Sequence, residues 1–182
     1  MKHITSGCLF WIPGLSGAGK TSIGEIFTEL LRERYDNVVF LDGDELREIF
    51  GATATNLDNY ERETRLALAL QYVRLCRMLS QQGHMVVIAT ISLFKEVHEW
   101  NRKNLPCYFE VYLKVSLEEL RRRDSKGIYS RFDAGELTNV AGLDLSIDEP
   151  EWPDLTIEFD STCKVTELAN EIITLLKLGQ KG

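Results

Sequence analysis

Apolar positions along the chain follow two periods. Unbroken or nearly unbroken apolar runs occur at Cys8-Leu-Phe-Trp-Ile12, Asn37-Val-Val-Phe-Leu41, Met85-Val-Val-Ile-Ala-Thr-Ile91 and Tyr108-Phe-Glu-Val-Tyr-Leu113, and Leu155-Thr-Ile-Glu-Phe159 reads as a fifth strand. Runs of this length are what parallel strands covered on both faces require. Between them, apolar residues recur at helical spacing over residues 20–35, 60–82 and 164–178, with shorter amphipathic stretches at 45–50 and 94–101. In the longest of these, Leu66, Ala69, Leu70, Val73 and Cys76 form one stripe that Leu68, Tyr72, Leu75 and Leu79 widen, so the helix is expected to be well buried. Gly51 and Gly83 terminate two helices, and Ser116 with Glu119 three residues on is a capping box opening another. Strands alternating with helices predict an α/β chain of three layers, α/β/α, around a mainly parallel sheet of about five strands.

Two stretches depart from this rhythm. Residues 52–59 are polar and turn-like. Residues 124–153 are long, charged and without clear period, contain Gly127, Gly135 and Gly142, and keep apolar anchors at Ile128, Tyr129 and Leu143. A long irregular segment with glycine hinges reads as a lid that would exclude water from a site.

Composition narrows the classes. The 182 residues carry 44% hydrophobic content and a net charge of −7, consistent with a single domain over 1–182 and adverse to nonspecific binding of nucleic acid or of a membrane surface. No apolar stretch approaches membrane-spanning length, and the polar residues before the first strand do not form a signal sequence. Cys8, Cys76, Cys107 and Cys163 lack metal-ligand spacing and read as buried free thiols in a reducing cytoplasm. His3, His84 and His98 show no metal spacing either, and they receive no role.

Between the first strand and the first helix lies Gly14-Leu-Ser-Gly17-Ala-Gly19-Lys20-Thr21-Ser22, which fits the P-loop pattern. Glycines let backbone N–H groups turn inward around a phosphate, and the helix that follows aims its positive end at that anion. Gly14, Ser16, Gly17, Ala18, Gly19, Lys20, Thr21 and Ser22 are therefore the expected phosphate cradle of a nucleoside triphosphate, with Lys20 on the β/γ-phosphates and the Thr21 hydroxyl on Mg²⁺. The second strand ends in Asp42-Gly43-Asp44, placing two carboxylates where open α/β sheets put their chemistry. A guanine-reading Asn-Lys-x-Asp is missing. The third strand ends in Thr90-Ile91-Ser92 rather than in the acidic residue usual for translocating ATPases. Small size, an early acidic pair and a late lid point to a small-molecule kinase.

The chain resembles the adenylylsulfate kinases nearly end to end. The resemblance is carried by the P-loop, by Leu41-Asp-Gly-Asp-x-x-Arg47, Ile91-Ser92 and Phe109-Glu-Val-Tyr112. In the lid it is carried by Arg123-Asp-x-Lys-Gly-Ile-Tyr129, Ala134-Gly-Glu136, Gly142-Leu-Asp144 and Glu149-Pro150. It implies a P-loop NTPase fold and transfer of the ATP γ-phosphoryl group, with Mg²⁺, to the ribose 3′-hydroxyl of a nucleotide. It further implies that Asp44 accepts or orients the attacking hydroxyl and that Asp42 supports Mg²⁺ through water. Arg47 and Arg65 would grip the acceptor's anionic tail and Ser92 would line its site. Lys126, Gly127, Ile128 and Tyr129 belong to the lid signature, and Arg123 would approach the ATP side. Many members are dimers, so a homodimer is one expectation, although nothing in the chain names an interface.

Departures from that family gather on the acceptor side. Its Asp-Arg-x-x-Asn-x-Arg-Arg becomes Thr64-Arg65-Leu-Ala-Leu68-Ala-Leu70-Gln71, and the aromatic of its Asn-Phe-Thr-Gly becomes Val140. Its Gly-Phe-Ser before the Asp-Arg is absent, and Phe132 is a candidate replacement for the lost stacking. Losing two guanidinium groups removes charge-assisted contacts to an anion. With the run Ile91-Ser-Leu-Phe-Lys-Glu-Val-His-Glu-Trp-Asn-Arg-Lys103, the chain is similar to kinases of capsule-polysaccharide clusters that act on cytidine diphosphoramidate. That acceptor is the first reading and adenylylsulfate the alternative. A nucleotide-binding protein without catalysis is a third, against which Lys20, Thr21, Asp42 and Asp44 stand. A shikimate- or gluconate-type kinase would leave the lid signature unexplained.

Overall fold

The computed structural model describes residues 7–51, 62–158 and 164–175. The elements run β1 (Leu9–Pro13), α1 (Lys20–Arg32), β2 (Val38–Asp42), α2 (Gly43–Ile49), α3 (Arg62–Gln81), β3 (Met85–Thr90), α4 (Lys95–Asn104), β4 (Tyr108–Lys114), α5 (Leu117–Arg123), α6 (Ile128–Asp133), β5 (Leu155–Glu158) and α7 (Val165–Leu175). The five strands form one parallel sheet in the order β2-β3-β1-β4-β5. The expected three-layer architecture is therefore the one found. The turn-like reading of 52–59 lies outside the described residues.

Alternation along β1 explains how the helices divide. Cys8, Phe10 and Ile12 point into one apolar layer with Phe27 and Leu31 of α1 and Ala169 and Ile172 of α7. Leu9 and Trp11 point into the other, with Tyr72, Val73 and Cys76 of α3 and Val97 of α4. Phe10 joins the layers of its own face: its ring stacks on Phe109 at 5.3 Å and meets Phe27 edge-on at 5.1 Å. The α3 stripe holds as expected, with Ala69, Tyr72, Val73 and Cys76 buried.

The cysteine expectation is corrected. Parallel register sets Leu9 opposite Tyr108, which brings the preceding residues, Cys8 and Cys107, together as a disulfide across 99 positions of sequence. Cys76 does remain a free buried thiol, its ionisation opposed by burial, and Cys163 lies outside the described residues. No helix among the described residues is long and apolar enough to cross a membrane.

The lid reading needs one revision. Residues 124–153 are not irregular throughout: Asp124 accepts hydrogen bonds from the backbone N–H groups of Tyr129 and Ser130, and this initiates α6. Six residues are too few for a hydrophobic period to be read from sequence. Elsewhere Ser116 caps α5 by accepting from the Glu119 N–H, but Glu119 turns its carboxylate to Arg122 and Arg123 instead of closing the box.

Candidate active site

All five strands are parallel, so their carboxyl ends share one edge of the sheet, and the loops leaving β1, β2 and β3 enclose a cleft of about 310 Å³. At its floor lies the P-loop. Gly17 and Gly19 sit at φ 78° and 88°, a backbone that β-carbons disfavour, and the turn they make lets α1 start at Lys20. Ser16, Lys20 and Thr21 line the cleft. Ala18 is buried instead, its backbone N–H donating to the Leu15 carbonyl, and Ser22 is exposed on the first turn of α1. Gly14 is bridged to Leu113 of β4 and anchors the loop to the sheet.

Lys20 donates to the Leu15 carbonyl at 2.7 Å. Its pKa is pushed down to about 7, chiefly by burial and next by the Lys126 ammonium; Asp42 opposes the shift and Arg47 adds to it. Lys126 and Arg47 gathered around a desolvated amine make a site suited to a polyanion.

The two aspartates divide between structure and cleft. Asp42 ends β2, is buried, and uses both oxygens: Oδ2 accepts from the Thr21 hydroxyl at 2.6 Å and Oδ1 from the Asp44 N–H at 2.7 Å, which caps α2. Asp44, in the first turn of α2, is half-exposed and ion-paired with both Arg47 and Lys126. Lys126 comes from the lid, 82 positions away in sequence. Thr21 and Asp42 together offer hard oxygen donors side by side, a set that suits Mg²⁺ held jointly by protein and phosphates.

The same cleft is also lined by Arg47, Arg65, Ser92 and Ile128, as expected, and the part bounded by these residues is referred to below as its chamber. Sequence reasoning missed Tyr72, Phe94, Asn139 and Ile147, which complete its walls. Arg65 does not only face the chamber: its Nη2 donates to the Asn139 carbonyl at 2.7 Å. Ser92 is buried and shares a 2.7 Å hydrogen bond with Thr90.

Four lid residues named from the sequence are placed elsewhere. Tyr129 lies behind the P-loop, buried, with its hydroxyl donating to the Ser16 carbonyl at 2.8 Å, so it fastens lid to loop. Gly127 is the residue before α6 and does not line the cleft. Arg123 does not line it either; its Nε donates to Glu119 at 2.7 Å, where Arg122 and Arg123 hold the carboxyl down at about 2. Phe132 also lies outside the lining. Of the three altered family positions, Leu68 faces the chamber, Leu70 packs on the core and Gln71 is exposed.

One buried polar cluster had no signal in the sequence. His98 Nδ1 meets Glu110 Oε1 at 2.5 Å, Tyr108 donates to the same oxygen at 2.7 Å, and Arg102 reaches Glu110 Oε2 at 3.3 Å and Asp154 at 2.7 Å. It ties α4 and β4 to the segment leading into β5, and His98 Nε2 lies 3.3 Å from the Asp148 carbonyl, next to the cleft-lining Ile147. Only spacing in three dimensions could have revealed it.

Comparison with known proteins agrees with this geometry. Residues 6–158 match the family model for adenylylsulphate kinase. The cytidine diphosphoramidate kinase of Campylobacter jejuni is 41% identical over 170 residues, covering 93% of this chain and 96% of its own. The adenylyl-sulfate kinase of Gloeothece citriformis is 33% identical over 180 residues, covering 97% and 96%. Among solved structures, the APS kinase CysC of Mycobacterium tuberculosis in complex with AMPPNP and APS superposes with a TM-score of 0.82 at 30% identity, covering 96% of this chain and 99% of that one. With a P-loop, a paired aspartate motif and a lid lysine converging on one cleft, the chain belongs to the adenylylsulphate kinase family of ATP-dependent kinases.

Proposed function

We propose that the chain transfers the γ-phosphoryl group of ATP to the ribose 3′-hydroxyl of a nucleotide acceptor, with cytidine diphosphoramidate as that acceptor and adenylylsulfate as the alternative. The observation that carries this reading is a single cleft lined at once by Lys20, Thr21 and Asp42, by Asp44, and by the chamber residues Arg47, Arg65 and Ser92. A hydroxyl placed in that chamber meets a carboxylate on one side and a phosphate cradle on the other, the geometry an in-line transfer needs.

In the reaction so read, the acceptor oxygen forms the new P–O bond, the bond from the γ-phosphorus to the β–γ bridging oxygen breaks, and ADP leaves. Asp44 orients the hydroxyl and takes its proton. Phosphoryl transfer asks for positioning and charge stabilisation more than for a strong base, which a half-exposed carboxylate can serve. Arg47 and Lys126, which pair with Asp44, turn to the acceptor's anionic tail and to the phosphoryl group in transit. Thr21, and Asp42 through water, would hold Mg²⁺, which when bound supplies charge neutralisation of the phosphate oxygens. Tyr129 keeps the lid on the P-loop and so keeps water from the γ-phosphate.

Choice of acceptor rests on two supports. The Campylobacter jejuni relative named for cytidine diphosphoramidate is 41% identical over most of both chains. The chamber wall is aliphatic at Leu68 and Val140, where the adenylylsulfate pattern places a polar amide and an aromatic ring. A role in supplying phosphoramidate to a capsule polysaccharide goes with that acceptor.

The test is ADP release at fixed ATP·Mg²⁺ with cytidine diphosphoramidate or adenosine 5′-phosphosulfate over one concentration range. Turnover confined to the cytidine compound is expected. Turnover confined to the adenosine compound would move the reading to the alternative, and ATP binding without turnover of either would leave only a nucleotide-binding protein. Asp44→Ala is expected to abolish turnover while leaving ATP affinity within about threefold, because its side chain faces the acceptor chamber.

A further inference from the structure

The acceptor chamber has one wall that belongs to no helix or strand. Residues 137–147 contribute Leu137, Thr138, Asn139, Val140, Ala141 and Ile147 to its lining. Hydrogen bonds among Val140, Gly142, Leu143 and Leu145 tie the middle of this wall to itself and Ala141 packs on the core, so what sets its distance from the opposite side is the fastening of its two ends. The structure shows where it is held.

At its leading end, Asn139 adopts a left-handed φ of 58°, and Asp144 pins that turn by accepting from the N–H groups of Asn139 at 2.8 Å and Val140 at 2.6 Å. Arg65 of α3 then fastens the turn from outside by donating to the Asn139 carbonyl. At the trailing end stands Asp148. Its backbone N–H donates to the Leu93 carbonyl at 3.0 Å, and its Oδ2 accepts from the Lys95 N–H at 3.1 Å. That second bond caps α4, whose own cap residue, Phe94, has no side chain able to do so.

Arg62 completes the trailing anchor. Its Nη2 donates to Asp148 Oδ2 at 2.8 Å and to Glu96 at 3.0 Å, while Nη1 donates to the other Glu96 oxygen at 3.1 Å. Its guanidinium also lies 5.4 Å over the ring of Phe94, which lines the chamber. An isolated surface ion pair would be worth little. This one differs in being bidentate to one carboxylate, shared with a second, and stacked on an aromatic ring, so the planar fork is used at each of its edges and on its face.

Arg62 and Arg65 are one turn apart on α3 and fasten opposite ends of the same wall. We infer that Arg62 and Asp148, acting through Phe94 and Ile147, are positioning residues for the acceptor, forming with Arg65 and Asn139 a two-point clamp that sets the width of the chamber. The phosphate cradle is built on β1 and α1 and needs neither arginine. The wall does pack on the P-loop where Gly142 lies against the Leu15 side chain, but neither arginine contacts the cradle, so the clamp acts on acceptor binding more than on ATP binding. That the chamber takes the acceptor rests on the function proposed above; that the wall is clamped does not.

The experiment compares the full chain with Arg62→Ala, Arg62→Lys and Asp148→Asn, reading amide hydrogen exchange and steady-state kinetics side by side. Asp148→Asn keeps an oxygen for the Lys95 N–H while losing the charge that faces Arg62, so it probes the pair without truncation. Exchange over residues 138–148 is expected to quicken about fivefold or more in Arg62→Ala, with P-loop peptides unchanged. The acceptor KM is expected to rise by a similar factor while the ATP KM stays within about twofold, and Arg62→Lys is expected to recover part of the loss. Combining Arg62→Ala with Asp148→Asn should do little more than the worse single change, since both break one contact.

Unchanged exchange over 138–148 in Arg62→Ala overturns the clamp, as does a double variant whose effects multiply. Equal rises in the two KM values overturn the separation of acceptor from ATP. If the unaltered chain turns over neither nucleotide, the functional reading falls, and the exchange comparison still decides whether the wall is clamped.

Discussion

Asp42 offers the sharpest separation of folding from chemistry. Its two oxygens do two jobs, capping α2 through the Asp44 N–H and holding the Thr21 hydroxyl. Asparagine at this position keeps an oxygen for the cap, and Asn and Asp are nearly equal as cap residues. Its amide can also donate to the Thr21 hydroxyl, reversing that bond rather than losing it. Asp42→Asn should therefore cost less than about 0.5 kcal/mol of stability. Asp42→Ala removes the cap, which is worth about 1 kcal/mol, and releases a threonine exposed enough for water to replace its partner. At about 2–4 °C per kcal/mol for a chain of this size, the alanine variant should melt about 2–4 °C lower and the asparagine variant within about 2 °C of the parent. Turnover should fall together in both, by about 10–100-fold, because each removes the carboxylate that orients the hydroxyl proposed to hold Mg²⁺. Thermal melts paired with ADP release check this. A variant Asp42→Asn that melts as low as Asp42→Ala, or that turns over at the parental rate, would refute the division of labour.

Lys20 carries a pH prediction. Its folded pKa of about 7 lies below the ordinary 10.5, so between those values the unfolded chain holds the extra proton and stability of the ligand-free protein rises with pH. ATP brings negative charge to the amine and restores its proton; binding should take up more proton at pH 8 than at pH 6, measured by calorimetry in buffers of differing ionisation enthalpy. Uptake that does not change over that interval would place the titration elsewhere. Two P-loop glycines should behave differently: a Cβ on Gly14 would stand 2.8 Å from the Leu113 carbonyl, whereas one on Gly19 meets nothing within 4 Å. Gly14→Ala is therefore expected to lose about 2–3 kcal/mol and Gly19→Ala about 1, the cost of its left-handed backbone alone, as read by chemical denaturation.

Much of the molecule is legible without coordinates, and the legible part is local. Continuous apolar runs announce strands buried on both faces, because a strand with helices on both sides has no wet face on which to alternate. The stripe through Ala69, Val73 and Cys76 announces a buried helix, and the glycines of residues 14–19 announce a phosphate cradle, because each pattern is a property of neighbouring backbone. Asp42 and Asp44 could be placed at the site from their position after a strand alone.

What tertiary structure decided are the partners. The register Leu9 with Tyr108 joined Cys8 to Cys107, which spacing in the chain gave no reason to pair. The crossing of the lid over the P-loop set Lys126 on Asp44 and Tyr129 on Ser16, turning one expected acceptor residue into a fastening. The same crossing gave Arg65 the Asn139 carbonyl and left Arg123 to Glu119. A charged side chain has several potential partners of nearly equal energy, and the choice among them is made by which distant backbone arrives within about 3 Å. Sequence fixes the local period and the chemistry on offer; only the register and crossing of elements far apart in the chain decide which groups meet.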